Sequence, residues 1–216
     1  MTKEIKSFID GCKEFRRKNF INQQNSIFKY LVEKGQKPKA LVIACCDSRV
    51  DPALLMNCQA GDLFVVRNVA NLVPPYEDDG SHHGTSAALE FGICNLGIQN
   101  IIILGHSKCG GIAHLVQNFN DSKNTVGQEK DTFISRWMDL AKKSVIDMKQ
   151  DFKNLDLVEK VDICSQKSII NSLNNLKTFP WIRERIKKNE LFIHGWFFEL
   201  EDCSVKFFDH KTGRFN

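Results

Sequence analysis

The sequence predicts an α/β fold: a mostly parallel central β-sheet flanked by helices, with an antiparallel edge strand and an N-terminal helical arm. Three observations carry this reading. Residues 40–44 and 101–104 are unbroken apolar runs, the pattern of strands buried on both faces. Strand-like runs alternate with stretches of helical periodicity, which is how a parallel sheet acquires its covering layers. Both apolar runs end in polar, reactive side chains, and ligands of open α/β sheets sit beyond the carboxyl ends of the strands. With 216 residues, 42% of them hydrophobic, the chain reads as a single domain, an arm over 1–34 and a core over 35–216.

Residues 1–33 read as helical, because Ile5, Phe8, Ile9, Cys12 and Phe15 recur at helical spacing between lysines and arginines. Gly35 to Pro38 makes a turn into a first strand over 40–45, and a second strand covers 62–67. Residues 73–84 form a loop with two prolines, an acidic triplet and a His pair. Thr85 is expected to cap a helix running through Asn95, with Ala88, Phe91, Ile93 and Leu96 on its buried side. A third strand spans 101–104, and Gly110-Gly111 opens a helix to about residue 119. Residues 118–131 are polar and read as a loop. Helices follow over 132–150, 157–176 and, after Pro180, 181–188. Residues 191–198 are a strand and 204–208 an antiparallel edge strand.

Composition narrows the function. The net charge of +4 arises largely from local clusters such as Arg16-Arg17-Lys18 and Lys187-Lys188. No basic stripe is interleaved with aromatics, which argues against nucleic-acid binding. Eight cysteines are dispersed along the chain and lack the density of a disulfide scaffold. Those without a chemical reading, such as Cys94 in its apolar surroundings, are expected to be reduced core residues. No signal-peptide h-region opens the chain and no apolar run approaches membrane length. A reducing, soluble compartment is expected, cytoplasmic or the interior of an organelle, without a membrane.

Two stretches carry chemistry. The first strand ends in Cys45-Cys46-Asp47-Ser48-Arg49. Alternation along an extended backbone puts Cys45, Asp47 and Arg49 on one side and Cys46 and Ser48 on the other. Alone, this set reads equally well as a small apolar Cys beside a surface Asp–Arg pair. The third strand repeats the design and ends in His106-Ser107-Lys108-Cys109. His106 and Cys109, three apart at a strand-to-helix turn, can converge on one point. Cys45, His106 and Cys109 then form a Cys2His set, the ligand type of catalytic zinc with an open or exchangeable fourth position. Two thiolates and an imidazole favour zinc over magnesium, calcium or manganese.

At these residues the chain resembles the β-class carbonic anhydrases, whose signature is Cys-x-Asp-Ser-Arg followed by His-x-x-Cys-Gly-Gly. The likeness continues through residues 61–71, 73–76, 84–91, 178–181 and 194–196, and covers roughly Gln36 to Asp209. It implies reversible hydration of carbon dioxide to bicarbonate and a proton, by attack of zinc-bound hydroxide, with one Zn2+ per chain. It gives Asp47 the task of orienting the hydroxide and Arg49 that of holding Asp47. In a closed state Asp47 itself swings onto the metal. It places Gln36, Phe64, Val69, Phe91 and Gly110 around the substrate, with Phe91 supplied by a neighbouring subunit. A homodimer is the implied minimum and tetramers are common in the family. N-terminal helices of the family wrap the partner subunit.

The sequence also departs from the pattern. Phe91 stands where the family often has Tyr, and Cys46 where it usually has Ser. Cys46 is expected to pack behind the metal. One subtype carries a bicarbonate-inhibition site built from Trp, Arg and Tyr. Here those positions hold Val42, Arg67 and Phe198, so the chain resembles the plant-like subtype without that site. For Phe64, Val69 and Phe91 plain core packing is the competing reading, and for Gly110 and Gly111 it is tight packing at a turn. His82 and His83 fall in a loop the family places near the site mouth, where proton shuttling and plain solvation compete. His114, His194 and His210 read as structural. Two other functions remain open to the residues: the same fold acting on a related substrate such as carbon disulfide, and a non-catalytic structural or redox zinc module. The intact Asp47, Arg49 and Gln36 argue against the second.

Overall fold

Four parallel strands form the floor on which the functional residues stand. The computed structural model of the protein describes residues 1–22, 26–120, 125–126, 132–148 and 154–216. Helix α1 (Lys3–Arg16) runs into a π-helical turn, Arg17–Ile21, and α2 (Ile27–Lys34) follows. Strand β1 (Ala40–Cys45) leads to a one-turn helix, α3 (Pro52–Leu55), and to β2 (Leu63–Asn68). Helix α4 (Gly84–Glu90) extends through a π-helical turn, Phe91–Asn95, before β3 (Asn100–His106) and α5 (Gly110–Asn118). Two short strands, β4 (Phe119–Asn120) and β5 (Thr125–Val126), pair with each other. Then come α6 (Phe133–Met138), α7 (Lys142–Ile146), α8 (Leu157–Leu176) and α9 (Pro180–Lys187). Strands β6 (Phe192–Phe198), β7 (Val205–Asp209) and β8 (Arg214–Phe215) close the chain.

The sheet order is β2-β1-β3-β6-β7-β8. The first four strands are parallel, and β7 and β8 add antiparallel. All six residues of β1 are buried, as expected of a strand covered on both faces. Leu41 and Ile43 join Ile101, Ile103, Leu89, Ile169 and Leu173 on one face. Ala40, Val42 and Ala44 join Ile102, Leu104, Val50 and Phe198 on the other. Helix α8 packs closely against the first face at Gly105, where a Cβ would lie 2.7 Å from Ile169 Cδ1. The helix is well begun: Asp156 accepts from Glu159 N and Glu159 reaches back to Asp156 N, a capping box.

Several elements differ from the sequence expectation. The helix expected to be capped by Thr85 begins two residues earlier than that cap implies, at Gly84 with His83 at the cap. Thr85 Oγ1 instead accepts from Asn68 Nδ2 at 3.4 Å. The single helix expected over 132–150 is broken into α6, a 3-10 turn and α7, since Ala141 leaves the helical region at ψ 1°; residues 149 and 150 lie outside the described residues. The arm is two helices, with residues 23–25 undescribed. Within the expected loop over 118–131, residues 118–120 and 125–126 are described. Strand β2 lies one residue later than expected, β3 extends beyond its expected bounds at both ends, and β8 has no counterpart in the sequence expectation.

The cysteine expectation needs the largest correction. Cys12, Cys46, Cys94 and Cys203 are exposed and Cys58 is half-buried; beyond the site, Cys164 alone is buried. Cys46 therefore does not pack behind the site. Its N–H continues the β1–β2 ladder to Asn68 O at 3.0 Å, one residue past the carboxyl end of β1, where its side chain is exposed. Cys94 falls in the π-helical turn, whose widened backbone changes the side-chain register after Phe91.

Candidate metal centre

The register of the sheet brings the candidate ligands together. Ala44 of β1 pairs with Leu104 of β3, so Cys45 and His106 end neighbouring strands one residue out of step. The chain then turns through Ser107 and Lys108, and Cys109 occupies the cap of α5. Cys45, His106 and Cys109 are all buried, with ligand atoms within 4.8 Å of one another. The two sulfurs are 4.0 Å apart. That is far beyond a disulfide bond and close to the ~3.8 Å edge of a tetrahedron with metal–sulfur bonds of about 2.3 Å.

The imidazole is set for coordination. His106 Nδ1 meets Ser107 O at 2.8 Å, so the ring donates from Nδ1 and carries its lone pair on Nε2. That Nε2 is buried without a hydrogen-bond partner. A buried acceptor without a donor is costly, and this one faces two thiol groups. The donor set of two sulfurs and one neutral imidazole fits zinc. Between the thiols, the Cys109 S–H bond pulls the Cys45 pKa down against the effect of burial. The same bond, with burial, pushes Cys109 up. The opposed shifts reflect two sulfurs that interact strongly at 4.0 Å.

Asp47 stands at the rim. Its Oδ2 is 3.9 Å from His106 Nε2. Arg49 grips it with Nε to Oδ1 at 2.9 Å and Nη2 to Oδ2 at 2.7 Å, and the Arg49 backbone N–H adds a third bond to Oδ1 at 2.9 Å. The Arg49 side chain foremost holds the Asp47 carboxyl well below the usual carboxylate range, with burial opposing.

Two residues that position this site were not recognised as doing so in the sequence. Arg67, at the end of β2, lays its guanidinium across the loop after β1. It donates to Cys45 O at 2.9 Å, Asp47 O at 2.7 Å and Val50 O at 2.9 Å, and lies 3.5 Å from the Asp51 carboxylate. Arg67→Ala is expected to destabilise the fold by about 1–3 kcal/mol, since it strands these carbonyls; a lowered denaturant midpoint at unchanged slope would show it. Asp162 of α8 accepts from Lys108 N at 2.6 Å. Burial raises its pKa, and the Lys108 N–H opposes that. Neither role has a local sequence signal: one depends on β2 lying beside β1, the other on a contact 54 residues apart.

The residues expected around the substrate separate into two groups. Val69 and Gly110 lie beside the cysteines. Val69 O accepts from Trp137 Nε1 at 2.8 Å, and its Cγ1 would be 2.7 Å from a Cβ on Gly111. Gly111 is thus a packing glycine, whereas open space lies over Gly110. Gln36, Phe64 and Phe91 are elsewhere in this chain. Phe64 is in register with Leu41, four residues or ~13 Å along the strand from Cys45. Phe91 stacks on it at 6.0 Å and is 45% exposed; Gln36 is exposed. His83 pairs with Asp79 at 2.7 Å on the exposed loop. His194 and His210 bond Asn100 Oδ1 and Ile193 O.

Comparison with known proteins agrees with this geometry. A sequence model of the carbonic anhydrase family matches residues 40–205. The chain is 39% identical over 185 residues to β carbonic anhydrase 3 of Arabidopsis thaliana, covering 86% of this chain and 69% of that protein. It is 40% identical over 172 residues to the chloroplastic β carbonic anhydrase 5 of the same plant, covering 80% of this chain and about half, 54%, of that protein's length. A carbonic anhydrase of Synechocystis is 33% identical over 95% of this chain and 71% of its own length. Among solved structures, the β-carbonic anhydrase CcaA superposes with a TM-score of 0.85 at 32% identity, over 99% of this chain and 98% of that one. A tetrameric β-carbonic anhydrase of Sordaria macrospora gives 0.79 at 27% identity, over 95% and 97%.

Proposed function

The chain belongs to the β-class carbonic anhydrases, and from that premise we propose that it hydrates carbon dioxide reversibly at a zinc ion held by Cys45, His106 and Cys109, with Asp47 and Arg49 orienting the nucleophile. The observation that carries this reading is the bidentate Arg49–Asp47 pair at the rim of a buried Cys2His cluster. A purely structural zinc has four closed protein ligands, and here the fourth neighbour is a carboxylate already engaged by a guanidinium.

Zinc in this site would supply hydroxide at neutral pH, by lowering the pKa of a bound water from about 15.7 toward 7. Asp47 stays ionised there and, with Arg49 occupying part of both oxygens, keeps acceptor capacity toward the cluster. It accepts a hydrogen bond from the nucleophile and turns the lone pair toward the carbon of the substrate. Arg49 keeps the carboxylate from rotating inward. Ser107 O keeps the His106 lone pair on Nε2. Val69 offers an apolar wall, and the bare backbone of Gly110 allows close approach, which suits a small apolar substrate.

Gln36, Phe64 and Phe91 complete the pocket from a second copy of the chain in this reading. Support comes from the uncovered surface on that side: β2 is the sheet edge, Val65 is 40% exposed, and α1 buries none of its own residues. A dimer is therefore the minimal unit. The subtype reading, without a bicarbonate-inhibition site, is supported by Val42 and Phe198, both buried in one apolar cluster, and by the full engagement of Arg67 with backbone carbonyls. Eight free cysteines favour a reducing, cytoplasmic setting, and among the described residues no helix is long and apolar enough to cross a membrane.

Stopped-flow carbon dioxide hydration with metal analysis tests the proposal. One zinc per chain with fast hydration is the expected result. Zinc without hydration would overturn it.

A further inference from the structure

One peptide group beside the site is bound at both ends. The amide joining Ser107 to Lys108 presents its carbonyl to His106 Nδ1 at 2.8 Å and its N–H to Asp162 Oδ1 at 2.6 Å. We propose that Asp162 is a positioning residue of the metal centre, the outer end of a carboxylate–peptide–histidine chain that holds the His106 ring for coordination.

Metal-bound histidines commonly donate their second ring N–H to a carboxylate, carbonyl or water, which fixes the tautomer and raises ligand basicity. Here a carbonyl takes that N–H. A carboxylate on the N–H of the same amide polarises the carbonyl and makes it a better acceptor, since linked hydrogen bonds strengthen one another. The backbone needs the same anchor. Lys108 has φ +54°, a left-handed conformation that is unfavourable for a residue with a long side chain. The Asp162 bond helps hold that conformation in place.

The rest of the turn is tied down from other directions. Ser107 N donates to Phe198 O at 2.9 Å, Ser107 Oγ accepts from Leu200 N at 2.8 Å, and Lys108 O lies 3.5 Å from Arg49 Nη2. Asp162 is the tie on the N–H of the Ser107–Lys108 amide whose carbonyl accepts from His106. Helix capping does not account for it, because Asp156 caps α8. Nor does a side-chain ion pair with Lys108 account for it: the Lys108 ammonium bonds Glu201, and the backbone N–H is what meets Asp162.

The inference rests on the zinc reading of the site, and the test separates the two. Zinc-loaded full-length chain is compared with Asp162→Asn, which keeps the shape and removes the charge, and Asp162→Ala, which removes the bond. Two quantities are read: the rate of zinc release to a coloured chelator, and the NMR signal of the His106 Nδ1 proton. Loss of a group supporting a metal ligand typically weakens binding by 10- to 100-fold. Acting through a peptide, Asp162→Ala is expected near the lower end, about tenfold faster release, and Asp162→Asn between it and the parent. The Nδ1 proton should shift and exchange faster in both, with circular dichroism unchanged. Release and Nδ1 signal matching the parent in folded variants would overturn the proposal. Should Asp162→Ala fail to fold, Asp162→Asn decides by the same two readings. A parent chain that retains no zinc would instead defeat the metal reading itself.

Discussion

Cys109→Ala is expected to leave little zinc on the chain and to lower carbon dioxide hydration by on the order of 10³ or more, because the nucleophile depends on the metal. Cys109 is one of the three proposed ligands and its Sγ sits 4.0 Å from Cys45 Sγ. Without it a single thiolate and one imidazole remain, too few to hold the ion against dilution. The fold should survive. The core clusters on both faces of the sheet are apolar and complete without an ion, and removing one buried sulfur costs only a small cavity term, about 1 kcal/mol. Circular dichroism and the denaturant midpoint should therefore move little while metal analysis falls. Chelation of the parent chain should give the same pairing of lost activity and retained fold. Unfolding in step with zinc loss would mean a structural ion, and full zinc occupancy in the variant would mean that Cys109 is not a ligand.

The three ligand candidates were legible because Cys45 and His106 stand at strand ends and Cys109 follows in the turn after the second. Residues 40–44 and 101–104 are apolar enough to force central, parallel placement. Parallel neighbours bring their carboxyl ends together, so Cys45 and His106 had to approach one another, and the three-residue spacing to Cys109 did the rest. The Asp47–Arg49 contact follows from alternation on one short stretch. The catalytic role proposed for the pair rests on family resemblance rather than on the spacing of the residues.

What the sequence hid is long-range or lies on an edge. Asp162, between Val161 and Ile163, carries no local mark of its contact with Lys108 N until α8 is laid against β3. Arg67 reads as a remnant of an inhibition site until β2 is placed beside β1. Strand alternation misjudged Cys46 and local apolar context misjudged Cys94, because burial depends on what covers a position: Cys46 lies just past the carboxyl end of β1 and Cys94 in a π-helical turn. Gln36, Phe64 and Phe91 show no grouping with the cysteines within one chain, and the sharing of the pocket between two copies proposed for them would leave no pattern in a single sequence.

Asp47→Ala is expected to keep one zinc per chain and to reduce hydration by about 10²–10⁴-fold, the range for a positioned proton-accepting group. The carboxylate lies 3.9 Å from His106 Nε2, near enough to act on a nucleophile at the metal and, while Arg49 holds it, not itself a ligand. Asp47→Asn keeps the volume but loses the charge that binds Arg49, and should fall nearly as far. Arg49→Ala should be comparably damaging for a different reason: the released carboxylate can turn toward the metal and compete with the nucleophile. Groups that work as a unit give strongly non-additive losses, so the double variant should be about as slow as Asp47→Ala alone. The pH dependence follows from the sign of the shift. Arg49 lowers the Asp47 pKa, so the pair stays ionised from pH 9 down to well below neutrality. Loss of rate toward pH 6.5 should then follow a single protonation of the nucleophile. A steep, cooperative loss below pH 8 would mean that Asp47 leaves Arg49 under mild conditions, and that Val42 and Phe198 do not mark an open site.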